Sequence, residues 1–204
     1  MFDWIVEWVE KGGYAGVALL MFLENVFPPI PSELIMPLAG FSAHQGGMNI
    51  WAVVFAGTVG SLAGALFWYW IGLWLGRGRV EVLIARFGRV ITMNLDDLDA
   101  ARGWFRWHAA KAVFFGRLVP TVRTLISVPA GVAPMPLAPF MMWSSLGTGL
   151  WTALLAVAGY LLGSQYELVE AWLDPASKVV VGIIVVAYVW RFVTYKPGRK
   201  PVAE

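Results

Sequence analysis

Long apolar stretches, separated by short charged segments, dominate the chain. Residues 50–76 and 136–163 contain no charged side chain, and each stretch is long enough to cross a bilayer as a helix. A third span is predicted over residues 177–195, near the end of the chain. The pattern predicts three transmembrane helices.

Two further apolar stretches are interrupted and do not fit a straight span. Residues 13–43 and 112–133 carry charged residues and prolines within an apolar background. Because proline removes a backbone donor and ends a helix, each stretch predicts two short arms around a break. Such re-entrant hairpins occur in membranes where they line a polar or protein-filled cavity. The predicted breaks are at Pro28, Pro29 and Pro31 in the first hairpin and at Pro120 in the second.

The remaining segments alternate apolar and charged positions at helical spacing. Residues 1–11 place Ile5 and Val9 on one face and acidic side chains on the other, which predicts a helix in the membrane interface. Residues 77–111 predict an amphipathic linker of two helices, and residues 196–204 form a basic tail.

Basic residues set the predicted orientation. The linker carries seven of them and the tail three, whereas residues 164–176 are acidic and contain no Lys or Arg. Since basic loops stay on the cytoplasmic side, the linker and the C-terminus are predicted to be cytoplasmic. Two hairpins and three crossings satisfy this arrangement.

Composition supports one membrane domain over residues 1–204. Of the 204 residues, 59% are hydrophobic and 14% are charged, against roughly 25% charged in soluble domains. The absence of cysteine excludes disulfides, Cys-ligated metals and thiol catalysis. His44 and His108, the two histidines, lack metal-ligand spacing, so no metal or cofactor is predicted. Because the basic residues flank apolar segments, nucleic acid is not a predicted partner despite the net charge of +2.

The two halves of the chain resemble each other. A shift of 91 positions aligns eight identical pairs: Pro29–Pro120, Leu34–Leu125, Ile35–Ile126, Ala39–Ala130, Gly40–Gly131, Ala65–Ala156, Tyr69–Tyr160 and Gly72–Gly163. Since the hairpins enter from opposite sides, the expectation is an all-α fold with an inverted repeat, as in many transporters. Close helix packing is expected at Gly57, Gly60, Gly64, Gly72, Gly76, Gly159 and Gly163.

Four charges in the predicted hairpins are the candidate site: Glu24, Glu33, Arg117 and Arg123. Each costs about 2.5–3.5 kcal/mol at the bilayer centre, so the set needs partners or a hydrated cavity. One interpretation is a structural set of ion pairs. The other assigns phosphate binding to Arg117 and Arg123, whose planar forks suit that group, and proton coupling to Glu24 and Glu33. No catalytic group is predicted.

Two motifs carry a resemblance to a known family. Residues 24–33 (ENVFPPIPSE) with PLAG at 37–40, and residues 115–123 (FGRLVPTVR) with PAG at 129–131, resemble the two signatures of the DedA family, also called the SNARE-associated or VTT domain. The resemblance covers about residues 13–195. It implies two opposed hairpins and movement of phospholipid-type substrates, with the hairpin acids and arginines essential.

The resemblance also implies a substrate. Members with this first signature are similar to undecaprenyl phosphate translocases of the bacterial inner membrane, which return the carrier lipid from the outer to the inner leaflet using the proton-motive force. Other subfamilies carry the second acid, usually Asp, in a different motif, whereas this chain has Glu33. The alternatives are a passive phospholipid scramblase, a proton-coupled transporter of a small anion, and a polyprenyl pyrophosphate phosphatase. Whether the chain forms a homo-oligomer stays open.

Overall fold

The computed structural model describes residues 3–27, 32–91 and 95–162, with positions 186, 189, 190 and 192–194. Within these residues every regular element is an α-helix, which confirms the predicted all-helical class. Most of the predicted span 177–195, the tail 196–204 and the break at Pro28, Pro29 and Pro31 lie outside the described residues.

Seven helices make up the described fold. They are α1 (Asp3–Val26), α2 (Ser32–His44), α3 (Ile50–Ile91), α4 (Leu95–Arg117), α5 (Pro120–Arg123), α6 (Ser127–Val132) and α7 (Leu137–Leu162). Two helical segments, Ile50–Gly76 of α3 and Leu137–Leu162, are long and apolar enough to cross a membrane. They coincide with two of the three spans that the hydrophobic pattern predicts.

Glycines break two of the long helices. Gly13 in α1 and Gly76 in α3 have φ values of 53° and 56°, a left-handed conformation that glycine adopts without steric cost. A Cβ at Gly76 would meet no atom within 4 Å, so this glycine serves a backbone break and not the close packing expected of it. Ahead of Gly13, Ile5 and Val9 are buried in the protein core.

Two hydrophobic clusters stabilise the fold at different levels of the long helices. The first contains residues of α1 and α2, with Val53 and Ala56 of α3 and Ala156 of α7. The second contains Ala65 and Tyr69 of α3 and residues of α4, α6 and α7. The turns of α3 between Ala56 and Ala65, and those of α7 between Phe140 and Ala156, therefore lie between the two clusters.

Glycines bring α2 against α7 and α6 against α3. A Cβ at Gly40 would overlap the carbonyl oxygen of Ala156, and one at Gly159 would overlap that of Pro37. In the other half, a Cβ at Gly131 would overlap the carbonyl oxygen of Tyr69. Helices α2 and α6 thus pack backbone to backbone on α7 and α3, as small residues allow in membranes.

Substitution of Gly159 by alanine is expected to destabilise the protein. The new methyl group would overlap the Cα, C and O atoms of Pro37, and such overpacking costs about 1–3 kcal/mol. Gly149→Ala on the same helix is the matched control, because its Cβ would meet Thr58 atoms at ordinary distances of 3.8 and 4.0 Å. Thermal unfolding in detergent, followed by circular dichroism, should show a lower midpoint for Gly159→Ala alone. Equal midpoints would contradict this contact.

Candidate functional site

A buried ion pair joins two distant parts of the chain. The Arg123 Nη2 group donates to Glu24 Oε1, across 99 positions of sequence. Glu24 lies in the last turn of α1 and Arg123 ends α5, and both side chains are buried, with 3% and 4% of their surface exposed. A pair this buried requires good geometry to offset its loss of hydration.

Arg117 is the second buried cation of the site. It ends α4 and is 1% exposed, and its Nη2 group donates to the Ser127 hydroxyl at 2.6 Å. Its guanidinium lies 6.0 Å from the centre of the Phe140 ring, and that of Arg123 lies 5.9 Å from the Trp151 ring. Rings at these distances attract a cation. Helix α7 therefore supplies one aromatic ring beside each arginine.

Glu33 occupies a more open position than Glu24. It lies in the first turn of α2, is half-buried and accepts a hydrogen bond from the Ser32 hydroxyl at 3.3 Å. Glu24 interacts electrostatically with Arg123, Glu33 and Arg117. The structure therefore brings the other three predicted charges near Glu24, with Arg123 as its direct partner.

Prolines and glycines in the local sequence explain how the helix ends that carry these side chains come close together. Pro120 begins α5, where its fixed φ and missing N–H are tolerated, and the extended Val119 turns the chain after α4. Glycines then let the helix ends approach the spans. A Cβ at Gly147 would lie 2.7 Å from Arg117 Cβ, and one at Gly64 would lie 2.6 Å from Asn25 Cβ.

Several buried polar atoms of the site have no hydrogen-bond partner among the described residues. Among the charged side chains of the site, the atoms without a partner are Glu24 Oε2, Arg117 Nε and Arg123 Nε. The same holds for Oδ1 of Asn25, which follows Glu24 in the sequence. The same is true of four side chains on the two spans: Ser61, Ser144, Thr148 and Trp151. A buried polar group left unpaired costs about 1–3 kcal/mol, so this concentration of unpaired atoms makes the region the candidate site for a polar ligand.

The polar residues on the spans were missed at the sequence level. The available signal was the spacing of Ser144, Thr148 and Thr152, which recur every four residues in an otherwise apolar helix.

Within the described part of the chain, no group of three or more His, Cys, Asp or Glu side chains is placed to hold a metal ion.

Comparison with known sequences decides the family. The sequence profile of the VTT domain matches residues 30–161. The chain belongs to the VTT domain family, also called the DedA family. This VTT domain protein has two helices long and apolar enough to cross a bilayer, and both arginines of its site lie within the matched residues.

Relatives of this VTT domain protein match it over nearly its whole length. It is 39% identical to the "Alkaline phosphatase-like protein" of Lactococcus lactis subsp. cremoris, over 96% of this chain and 92% of the relative. It is 32% identical to "Undecaprenyl phosphate transporter A" of Staphylococcus aureus, over 97% and 98% of the two chains. It is 28% identical to "Protein DedA" of Escherichia coli, over 85% and 78%. No solved structure matches the chain.

Proposed function

We propose that this protein moves polyprenyl phosphate, such as undecaprenyl phosphate, from the outer to the inner leaflet of the bacterial inner membrane, driven by the proton-motive force. The observation that carries the proposal is the buried pair between Glu24 and Arg123. Relatives that bear the name "Undecaprenyl phosphate transporter A" support the choice of lipid.

The ion pair provides a physical basis for coupling. The planar guanidinium of Arg123 suits phosphate as well as carboxylate. A phosphate that binds Arg123 therefore competes with the Glu24 carboxylate for the same positive charge. Protonation of Glu24 removes the competing negative charge and frees the guanidinium, so proton uptake and phosphate binding occur together. When Glu24 then loses the proton, the ion pair with Arg123 forms again and the lipid is released.

Contacts of the short arms support an inverted repeat of hairpin and span. Gly40 rests on Ala156 as Gly131 rests on Tyr69, and Pro37 faces Gly159 as Val128 faces Gly72. The arm residues of these pairs are related by 91 positions, and the span residues are related by 87. In the proposed repeat, the hairpin arms therefore follow the shift of 91 positions found in the sequence. The spans depart from that shift by about one helical turn. We place the linker 77–111 and the tail 196–204 in the cytoplasm.

A polyprenyl chain needs no polar route of its own. The outer faces of the spans expose large apolar side chains, including Trp51 and Phe55 on α3 and Leu150 and Leu154 on α7. The isoprenoid tail can stay against such surfaces in lipid while the phosphate alone crosses at the buried arginines. A small protein without a wide pore is sufficient for this task.

Flux of a short-chain polyprenyl phosphate in proteoliposomes tests the proposal. We expect flux that requires an imposed pH gradient and exceeds that of protein-free vesicles. Flux indifferent to both the gradient and headgroup charge would identify a passive scramblase, and flux of inorganic phosphate alone would identify a small-anion transporter. Because two relatives are named "Alkaline phosphatase-like protein", polyprenyl diphosphate is the control substrate, and no phosphate release from it is expected.

A further inference from the structure

Three buried hydroxyls on the spans differ from their neighbours. Ser61 on α3 and Ser144 and Thr148 on α7 are at most 4% exposed, and their oxygens find no hydrogen-bond partner in the described part of the protein. Hydroxyls in helices ordinarily bond the carbonyl one turn earlier. Nearby side chains do so: Thr58 donates to Val54, Ser145 to Met141 and Thr152 to Thr148.

The register of the spans brings these hydroxyls together. Thr58 and Thr152 hydroxyls are 2.9 Å apart, and Tyr69 stacks on Phe140 with ring centres 4.5 Å apart. These two contacts show that α3 and α7 run antiparallel, so one turn along α3 corresponds to one turn back along α7. Ser61 therefore lies at the level of Thr148. Ser144 follows one turn further, on the same face of α7.

The three unpaired hydroxyls lie at the same height along the helices as the buried charges. Gly147, next to Thr148 in the sequence, packs closely against the Arg117 side chain. Trp151, less than one turn beyond, has its ring 5.9 Å from the Arg123 guanidinium and an indole N–H that lacks a partner among the described residues. Gly64, three residues from Ser61, contacts Asn25 beside Glu24. The hydroxyls and the arginines thus border one region between the helices.

We propose that Ser61, Ser144, Thr148 and the Trp151 N–H form a neutral wall that hydrogen-bonds the phosphate oxygens of the lipid headgroup. This inference rests on the proposed function and assigns it four further binding residues. Two arginines attract the phosphate, and the neutral donors bind the oxygens that point toward the spans without adding charge. Their lack of partners among the described residues keeps them free for this purpose, since a hydroxyl bonded to its own helix would have to exchange that bond.

Binding of farnesyl phosphate to the full-length protein in detergent tests the wall. The variants are Ser61→Ala, Ser144→Ala and Thr148→Val, and each is expected to raise the dissociation constant roughly tenfold, as for loss of a hydrogen bond to a charged group. The matched control is Ser145→Ala, because that hydroxyl is bonded to Met141 at 2.7 Å, and it should bind as wild type. Arg117→Ala, which removes a charge, is the reference for complete loss.

Further readouts separate a binding role from a structural one. The thermal midpoint of the ligand-free variants should not fall, because the lost hydroxyls form no bond within the described protein. The salt dependence of binding should match wild type in the hydroxyl variants, because these substitutions remove no charge. A lower midpoint together with weaker binding would assign the hydroxyls to folding and overturn the inference.

The outcomes distinguish this inference from the function on which it rests. If wild type binds farnesyl phosphate, Arg117→Ala does not, and all three hydroxyl variants bind as tightly as wild type, the neutral wall alone is wrong. If wild type fails to bind farnesyl phosphate, the proposed function fails and the wall fails with it.

Discussion

Arg123→Ala is expected to abolish binding and gradient-driven flux of polyprenyl phosphate, with a loss in affinity of about 100-fold or more. The side chain is 4% exposed and directly pairs with Glu24, so its removal takes away one proposed phosphate ligand and the partner of the proposed coupling carboxylate. Arg79→Ala is the matched control. Arg79 lies beyond the break at Gly76, where its guanidinium is 4.4 Å from the exposed Trp74 ring. Flux in proteoliposomes and equilibrium binding measure both effects.

A double substitution separates this prediction from a purely structural role of the ion pair. Loss of Arg123 alone leaves Glu24 buried without its partner, which costs about 3–5 kcal/mol when the carboxylate stays charged. Arg123→Ala with Glu24→Ala removes both charges and should recover thermal stability without recovering flux. Flux that returns with stability would mean that the pair holds the fold together and does not bind the substrate.

The spans could be predicted because their signal is local. An uncharged stretch as long as the bilayer is thick, such as residues 50–76, has few alternatives to a helix in lipid. The backbone role of Gly76 could not be predicted from the same pattern. Spacing relates glycines to a packing face, whereas a left-handed φ of 56° depends on how the chain leaves the span.

The charged residues of the site could be identified because a charge within a membrane segment costs free energy and therefore indicates a partner or a function. Glu24, Arg117 and Arg123 stand out in this way. Their partners could not be assigned: Glu24 and Arg123 meet across 99 positions, and Arg117 bonds Ser127, a residue that no charge rule selects. Serine and threonine are tolerated in membrane helices because they can bond their own backbone. Residues such as Ser61 and Thr148 therefore become candidates only when the structure shows that their hydroxyls do not bond their own backbone.

Glu24→Gln is expected to uncouple transport from the proton gradient while preserving binding. Glutamine has nearly the shape of glutamate and keeps an oxygen that can accept from Arg123, but it neither competes as a charge nor exchanges a proton. Affinity for polyprenyl phosphate should equal or exceed that of wild type. Flux should fall to the level that wild type shows without a gradient, and an imposed gradient should not raise it.

Two further variants locate the coupling group. Glu7→Gln is the surface control, because Glu7 pairs with Lys11 at 2.7 Å on an exposed helix face, and its flux should respond to the gradient as in wild type. Glu33→Gln removes the half-buried acid that accepts a hydrogen bond from the Ser32 hydroxyl. If Glu24→Gln keeps the gradient response and Glu33→Gln loses it, coupling belongs to Glu33. The Glu24–Arg123 pair would then bind the headgroup without sensing the proton.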